Sequence, residues 1–413
     1  MQAHAVSDRV RKTLAMVAIS VAGLLLFAAC TQRADAKARD AHAAVVKGPK
    51  GLAFYKPPKD IPKRHGALIW ARKAGGLVPL ADARSTKLVL YSSRTPQGAK
   101  DAVSGSVSVP KGKPPKGGWP VITWAHGTTG VADICAPSRD YAGSPANTGE
   151  SYINGDLSAW LRAGYAVVRT DYEGLGTPGK HPYLIGTSEG RSVLDIVAAA
   201  RQLDPKISKR YLIAGHSQGG QAALFAAGLA SSWQPKLKLR GTVAFAPASH
   251  IADQESLLPA LTTPSALTAL AATIVYGAAT QSSAIHPSQL LSDPVLQFYP
   301  LLDSQCLSRL AAPDELGGIP PSQLERSGAD LSALRPVLAA MNPLVKTSAP
   351  ILIPQGESDT TVFPFYTNKL KDELIANGDQ VTYKTYPGVD HVGVVTAGEA
   401  DALSFFQAQL PPG

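Results

Sequence analysis

A serine, an aspartate and a histidine, in that chain order and each just past a short apolar run, are the residues with which this sequence could do chemistry. Ser217 lies in Gly215-His216-Ser217-Gln218-Gly219-Gly220. The run 211–214 before it is apolar, and the Ala-rich run 221–230 after it is a good helix former. Strand, sharp turn and helix are the context of a nucleophile elbow, in which a serine hydroxyl stands exposed on a strained turn. That turn brings residues 215 and 219 together, where a side chain on either would collide with its neighbours. Taken alone, the hexapeptide also fits a Gly-rich turn with a capping serine. The two readings are separated by whether partners for the hydroxyl exist elsewhere.

A free hydroxyl is a poor nucleophile at neutral pH and needs a base. His391 follows the strand-like run 381–386 and precedes the last helical stretch, so its loop can carry an imidazole over a sheet edge. The base needs an anion to hold its tautomer and to stabilise the imidazolium. Asp359, after the apolar run 351–354, is the expected acid. Glu357 is its rival, and Asp390 a poorer one because adjacency to the histidine makes an orienting hydrogen bond awkward. The reaction also needs donors for a developing oxyanion. One is the backbone N–H of Gln218, at a helix N-terminus where the peptide dipoles favour negative charge. The other is the N–H of Thr128, in His126-Gly127-Thr128-Thr129-Gly130 after the apolar run 121–124, with its hydroxyl as a further donor. His126, His181, His216 and His250 come too early in the chain to be the base; His216 is expected to pack beside the elbow. The histidines and cysteines show no metal-binding spacing, and there is no phosphate loop or dinucleotide fingerprint. No cofactor is expected.

These residues need a sheet to hold them. Strand-like runs at 87–93 and 102–109, joined by Thr95-Pro96-Gln97-Gly98, suit an antiparallel start. From Pro120 short apolar runs at 121–124, 165–170, 211–214 and 242–246 alternate with helical patterns, one of them beginning at a capping Ser188. Alternation of this kind predicts an α/β fold with a mostly parallel central sheet flanked by helices. The rhythm stops between Pro247 and Ala349, where helical stretches (265–276, 331–341) and many prolines stand without a strand. So long a connection reads as an inserted helical cap. The alternation then resumes with 351–354, a helix bearing Phe363, Tyr366, Leu370 and Leu374, the strand 381–386 and a helix over 394–409. The expected organisation is a signal peptide over 1–30, a flexible Pro-rich segment over 31–60, sheet domain over 61–247 and 349–413, and the cap over 248–348.

The chain has 413 residues, 45% apolar and 17% charged, ample for a large core. Its 40 Lys and Arg exceed its 31 Asp and Glu, but the basic residues are not interleaved with aromatics, which argues against nucleic acid as a partner. Arg9, Arg11 and Lys12 ahead of the apolar run 14–29 form an export signal. Ala28-Ala29-Cys30 resembles a bacterial lipobox, with Phe27 where Leu is usual, so Cys30 is a candidate for lipidation and membrane anchoring. Setting Cys30 aside leaves Cys135 and Cys306, an even pair in an oxidising compartment and an expected disulfide.

Three segments together resemble the secretory lipase family of α/β-hydrolases, which includes fungal lipase A type enzymes and bacterial relatives. They are Trp124 to Gly130 with Cys135-Ala136-Pro137-Ser138, Thr170 to Gly176 with His181-Pro182-Tyr183, and Gly215 to Gly220. The resemblance implies an α/β-hydrolase fold, hydrolysis of small-molecule or lipid esters, a helical cap over the acyl site, no metal requirement, and Ser217, Asp359 and His391 as triad. The same three residues would equally serve an acyltransferase or a peptidase, since a fold does not fix the acceptor. A binding lipoprotein that kept the fold without catalysis is the remaining reading.

Overall fold

The structure, a computed structural model, describes residues 45–145 and 151–413, and Val46–Gly413 form one compact unit. The expected signal peptide (1–30) and Cys30 lie outside the described residues.

Nine strands form one sheet in the order β1-β2-β3-β5-β4-β6-β7-β8-β9. β1 (Leu68–Lys73), β2 (Ala83–Arg94) and β3 (Lys100–Pro110) are antiparallel, and β3 pairs antiparallel with β5 (Ala166–Thr170). From β5 onward the pairing is parallel, through β4 (Trp119–Ala125), β6 (Ile207–His216), β7 (Lys238–Phe245), β8 (Ile351–Gly356) and β9 (Val381–Tyr386). β4, β5 and β8 are buried along their whole length, which is why they read as unbroken apolar runs. β9 alternates because it is the edge.

Helices cover both faces. α1 (Asn154–Arg162) packs Trp160 edge-on against Trp124 of β4. α2 (Gly186–Leu203) and α3 (Gln218–Trp233) bury Val193, Val197, Ala223 and Ala226 against Val121 and Ile213 on the other face. α2 begins two residues before Ser188, which therefore does not cap it; the hydroxyl donates to the Glu173 carboxylate instead.

Between β7 and β8 the described chain holds helical turns, the longest α4 (Leu267–Ala279), and a single isolated bridge, Leu291 to Glu325. This insertion has an apolar core of its own, in which Ala272, Leu302, Leu316 and Met341 are buried. After β8 come α5 (Pro364–Ala376), β9, and two helices where one was expected, α6 (Gly393–Ala397) and α7 (Glu399–Gln409). Among the described residues no helix is long and apolar enough to cross a membrane.

The described part of the expected flexible segment 31–60 is packed, not free. Gly48 N–H donates to Ala71 O at 3.0 Å, and a short 3₁₀ turn, Gly51–Tyr55, inserts Phe54 and Tyr55 against Leu88 and Leu90. Two adjacent aromatics outweigh the surrounding prolines, because each removes a large apolar area from water. The same cluster explains β1, whose Trp70 donates its indole N–H to Phe54 O.

Cys135 and Cys306 form a disulfide across 171 residues. It joins the loop after β4 to the insertion, beside a hydrogen bond from Leu307 N–H to Thr129 O at 2.9 Å. Replacing both cysteines by serine is expected to lower stability by about 2–5 kcal/mol, because a long loop is freed in the unfolded chain. Denaturant unfolding of the paired variants measures it; equal midpoints would show that the crosslink adds nothing.

Candidate active site

The ends of β4 and β6 are the starting point. Ala125 lies opposite Gly215 in the ladder, and the chain then turns so tightly that Gly219 returns against both. A Cβ on Gly219 would sit 1.9 Å from Ala125 O, and one on Gly215 2.0 Å from Gly219 O. Only glycine fits either position. Between them Ser217 adopts φ 58°, ψ −117°, a conformation costing about 1–3 kcal/mol in a non-glycine residue. Its backbone is pinned on both sides: N–H donates to Phe245 O at 2.9 Å, and C=O accepts from Gln221 N–H. The hydroxyl faces a cavity of about 130 Å³ whose other walls, including Ile251, Leu258, Leu267, Ile274 and Leu331, come mostly from the insertion.

Asp359, after β8, is buried and fully engaged. One carboxylate oxygen accepts the N–H groups of Thr361 and Val362, each at 2.8 Å. The other lies 2.7 Å from His391 Nδ1 and 3.1 Å from Gln355 Nε2. Glu357 is exposed, and Asp390 Oδ1 accepts Gly393 N–H at a helix start. The contact to Asp359 through Nδ1 orients the ring of His391 and leaves Nε2 as its other nitrogen.

His391 and Ser217 are linked through His216. The two imidazole centroids are 4.6 Å apart, and His216 Nε2–H donates to His391 O at 2.8 Å while Nδ1 accepts from the Tyr152 hydroxyl at 2.8 Å. Burial, then the neighbouring His391, holds the His216 pKa well below its usual value. A neutral ring is what this donor–acceptor bridge requires. Among the described residues neither Ser217 Oγ nor His391 Nε2 makes a hydrogen bond; Ser217 lines the cavity, while the half-buried His391 stands beside it behind His216.

Thr128 is half-buried, and its hydroxyl lies 2.7 Å from that of Tyr183, a residue that also lines the cavity. Gln218 is the first residue of α3. Its side chain turns away from the cavity into a closed polar cluster, donating to Glu189 Oε1 at 2.8 Å beside His181 Nε2 at 3.0 Å. Glu189 also accepts Leu184 N–H. Burial raises the Glu189 pKa to about 8 and lowers that of His181 to about 3, and it lowers that of His126 to about 4. The groups packed behind the elbow are thus neutral near pH 7. Among the described residues no group of three or more His, Cys, Asp or Glu could hold a metal ion.

Sequence reasoning gave no role to Gln355, Glu189 or Tyr183, although Tyr183 stands in the motif His181-Pro182-Tyr183. Gln355 left a trace, a polar residue at the end of an otherwise apolar run; Tyr183 and Glu189 left none that distinguishes a buried polar residue from an exposed one.

The sheet order, the strained serine between β6 and α3, and the helical insertion define an α/β-hydrolase fold. The chain is similar to the secretory lipase family, whose profile matches residues 147–274. It is 27% identical over 207 residues to lipase A of Moesziomyces aphidis, a stretch that is 48% of this chain and spans only 43% of that relative. Two solved structures share the fold over much greater length. Candida antarctica lipase A in its closed state superposes with a TM-score of 0.71 at 21% identity, covering 88% of this chain and 87% of that one. The rice cell wall degrading esterase LipA from Xanthomonas oryzae gives 0.68 at 19% identity, covering 84% and 98%.

Glu189 supplies a pH test. Its carboxyl holds a proton to about pH 8 when folded but only to about 4.5 when exposed, so the folded state binds more protons between those values. Stability from this group is therefore complete below about pH 4.5 and is lost as pH rises towards 8. Glu189→Gln, which keeps the acceptor for Gln218, is expected to flatten the fall of the urea midpoint across that window. An unchanged slope would mean that the carboxyl titrates normally.

Proposed function

We propose that the protein is a serine esterase or lipase that hydrolyses carboxylic esters through an acyl-enzyme. The observation that carries this reading is the buried Asp359–His391 pair, at 2.7 Å, beside a serine held on a strained elbow that opens into an apolar cavity. Ser217 Oγ attacks the ester carbonyl while His391 Nε2 takes its proton. Asp359 accepts the Nδ1–H bond and stabilises the imidazolium, and Glu357, exposed and turned to solvent, takes no part. The carbonyl oxygen, now negative, is held by the N–H groups of Thr128 and Gln218, the latter with the α3 dipole behind it. The Thr128 hydroxyl adds a third donor when it accepts from Tyr183, which leaves its own hydrogen free. His391 then gives its proton to the departing alkoxide, and water, activated by the same imidazole, releases the acid. The unengaged hydroxyl and imidazole suit a free enzyme, because catalytic hydrogen bonds commonly tighten only with substrate present.

The insertion acts as the cap of this site: its leucines and isoleucines form the wall against which an acyl chain would lie. Lipase A and the cell wall esterase, named above for their folds, agree with ester chemistry. The family description, secretory, agrees with the charged and apolar residues 9–29, and on this reading the protein is exported, either released or anchored to the envelope by a lipid on Cys30.

Ser217→Ala and His391→Ala are expected to abolish turnover of a p-nitrophenyl ester while leaving the thermal transition in place. Asp359→Asn should lower kcat by about three to four orders of magnitude, since the imidazole is left in the wrong tautomer. Glu357→Gln should retain full activity. Substantial activity in any of the first three variants, or none in the last, would refute the assignment. An ester chain-length series on the parent protein tests the cap, with kcat/KM rising from acetate towards longer acyl groups.

A further inference from the structure

The pole of the sheet opposite the candidate active site is unusually cationic. β4, β6 and β7 are adjacent and parallel, so their entry loops meet at one end: Trp119 pairs with Ile207, Arg210 with Lys238, and Trp119 N–H donates to Lys206 O at 2.7 Å. The loop entering β4, residues 111–118, carries exposed Lys113 and Lys116. Lys206 precedes β6, and Lys209 and the half-buried Arg210 stand in its first residues; Lys236 precedes β7, and Lys238 and Arg240 stand in its first residues. None of these eight has an ion-pair partner among the described residues, and residues 111–118, 205–210 and 234–241 contain no acid. The carboxylates at the margin are engaged elsewhere: Asp82 with Lys111 and Arg162, and Asp204 with Arg84. Asp379, at the entry of the neighbouring β9, is buried and accepts Thr347 N–H at 2.7 Å. In sequence these cations lie up to about 130 positions apart, and only the parallel register collects them.

We propose that this pole is a docking surface for an anionic lipid membrane. Unpaired lysines in the loops and first strand residues of this pole retain their full attraction for anionic headgroups, and each adds to the binding within a Debye length of the surface. The three loops expose Lys, Pro and Gly with no exposed aromatic on which a base could stack; Trp119 is buried and Trp233 is covered by His65 and Arg191. Charge without stacking platforms favours a lipid surface over a nucleic acid. β6 has ten residues, which at ~3.3 Å each separate this pole from Ser217 by about 30 Å. A molecule seated on it therefore holds the cavity mouth away from the supporting bilayer, open to esters arriving from solution. The proposal does not depend on the catalytic reading.

The test uses residues 46–413, the compact unit that contains every core described above, in co-sedimentation with vesicles of phosphatidylcholine alone or with about 30% phosphatidylglycerol. Binding is expected only to the anionic vesicles and is expected to fall steeply between about 50 and 500 mM salt. Lys206→Glu/Lys209→Glu/Lys236→Glu/Lys238→Glu should weaken it at least ~100-fold, at roughly fivefold per cation lost near the surface. The matching Lys→Gln set should give a smaller loss, and both should melt like the parent. Equal binding to both vesicles, or full retention by the Lys→Glu variant, would overturn the proposal. Tighter binding to a duplex DNA fragment than to anionic vesicles at the same salt would overturn the choice of a lipid partner.

Discussion

The contact on which the rest of this molecule depends is between backbones. Gly219 meets Ala125 O and Gly215 meets Gly219 O at distances that admit no side chain. The contact fixes three things together. It bends the chain so that Ser217 takes a positive φ, it aims the N-terminus of α3 at the space beside that serine, and it sets the end of β4, from which the Thr128 loop departs. The conformational cost at Ser217 is offset by the hydrogen bonds that clamp its own N–H and C=O and by the burial of α3 against β4 and β6. Removing any one of these would let the turn relax.

How much of this can be read without coordinates follows from how local each cause is. Parallel strands covered on both faces must be apolar throughout, so β4 to β8 stand out as runs, and the elbow glycines announce a turn within five residues. Asp359 was distinguishable from Glu357 only in space, because one is buried under two backbone N–H groups and the other is not. β1 and the 3₁₀ turn at Gly51–Tyr55 went unrecognised because they stabilise each other through Phe54 and Trp70, a pairing no local pattern encodes. Ser188 looked like a cap because its type fits one; its hydroxyl serves Glu173. Long-range polar pairings such as Thr128 with Tyr183 lie beyond any periodicity argument.

The charges are segregated as sharply as the chain elements. Around the elbow, burial keeps His126, His181, Glu189 and His216 uncharged near neutrality, and the positive end of the α3 dipole lies beside Ser217. At the far ends of the same strands, cations stand mostly exposed. A parallel sheet makes this separation natural: every strand begins at one pole and ends at the other, so residue types placed before and after strands sort themselves by polarity.

The link from Cys135 to Cys306, reinforced by Leu307 N–H on Thr129 O, couples one margin of the insertion to the loop that bears Thr128. At its start the insertion is tied to α5 as well, where Lys369 pairs with Asp253 at 2.6 Å and His250 Nε2 lies 3.1 Å from Glu373. Staples at both places keep the cavity walls in step with the Thr128 loop.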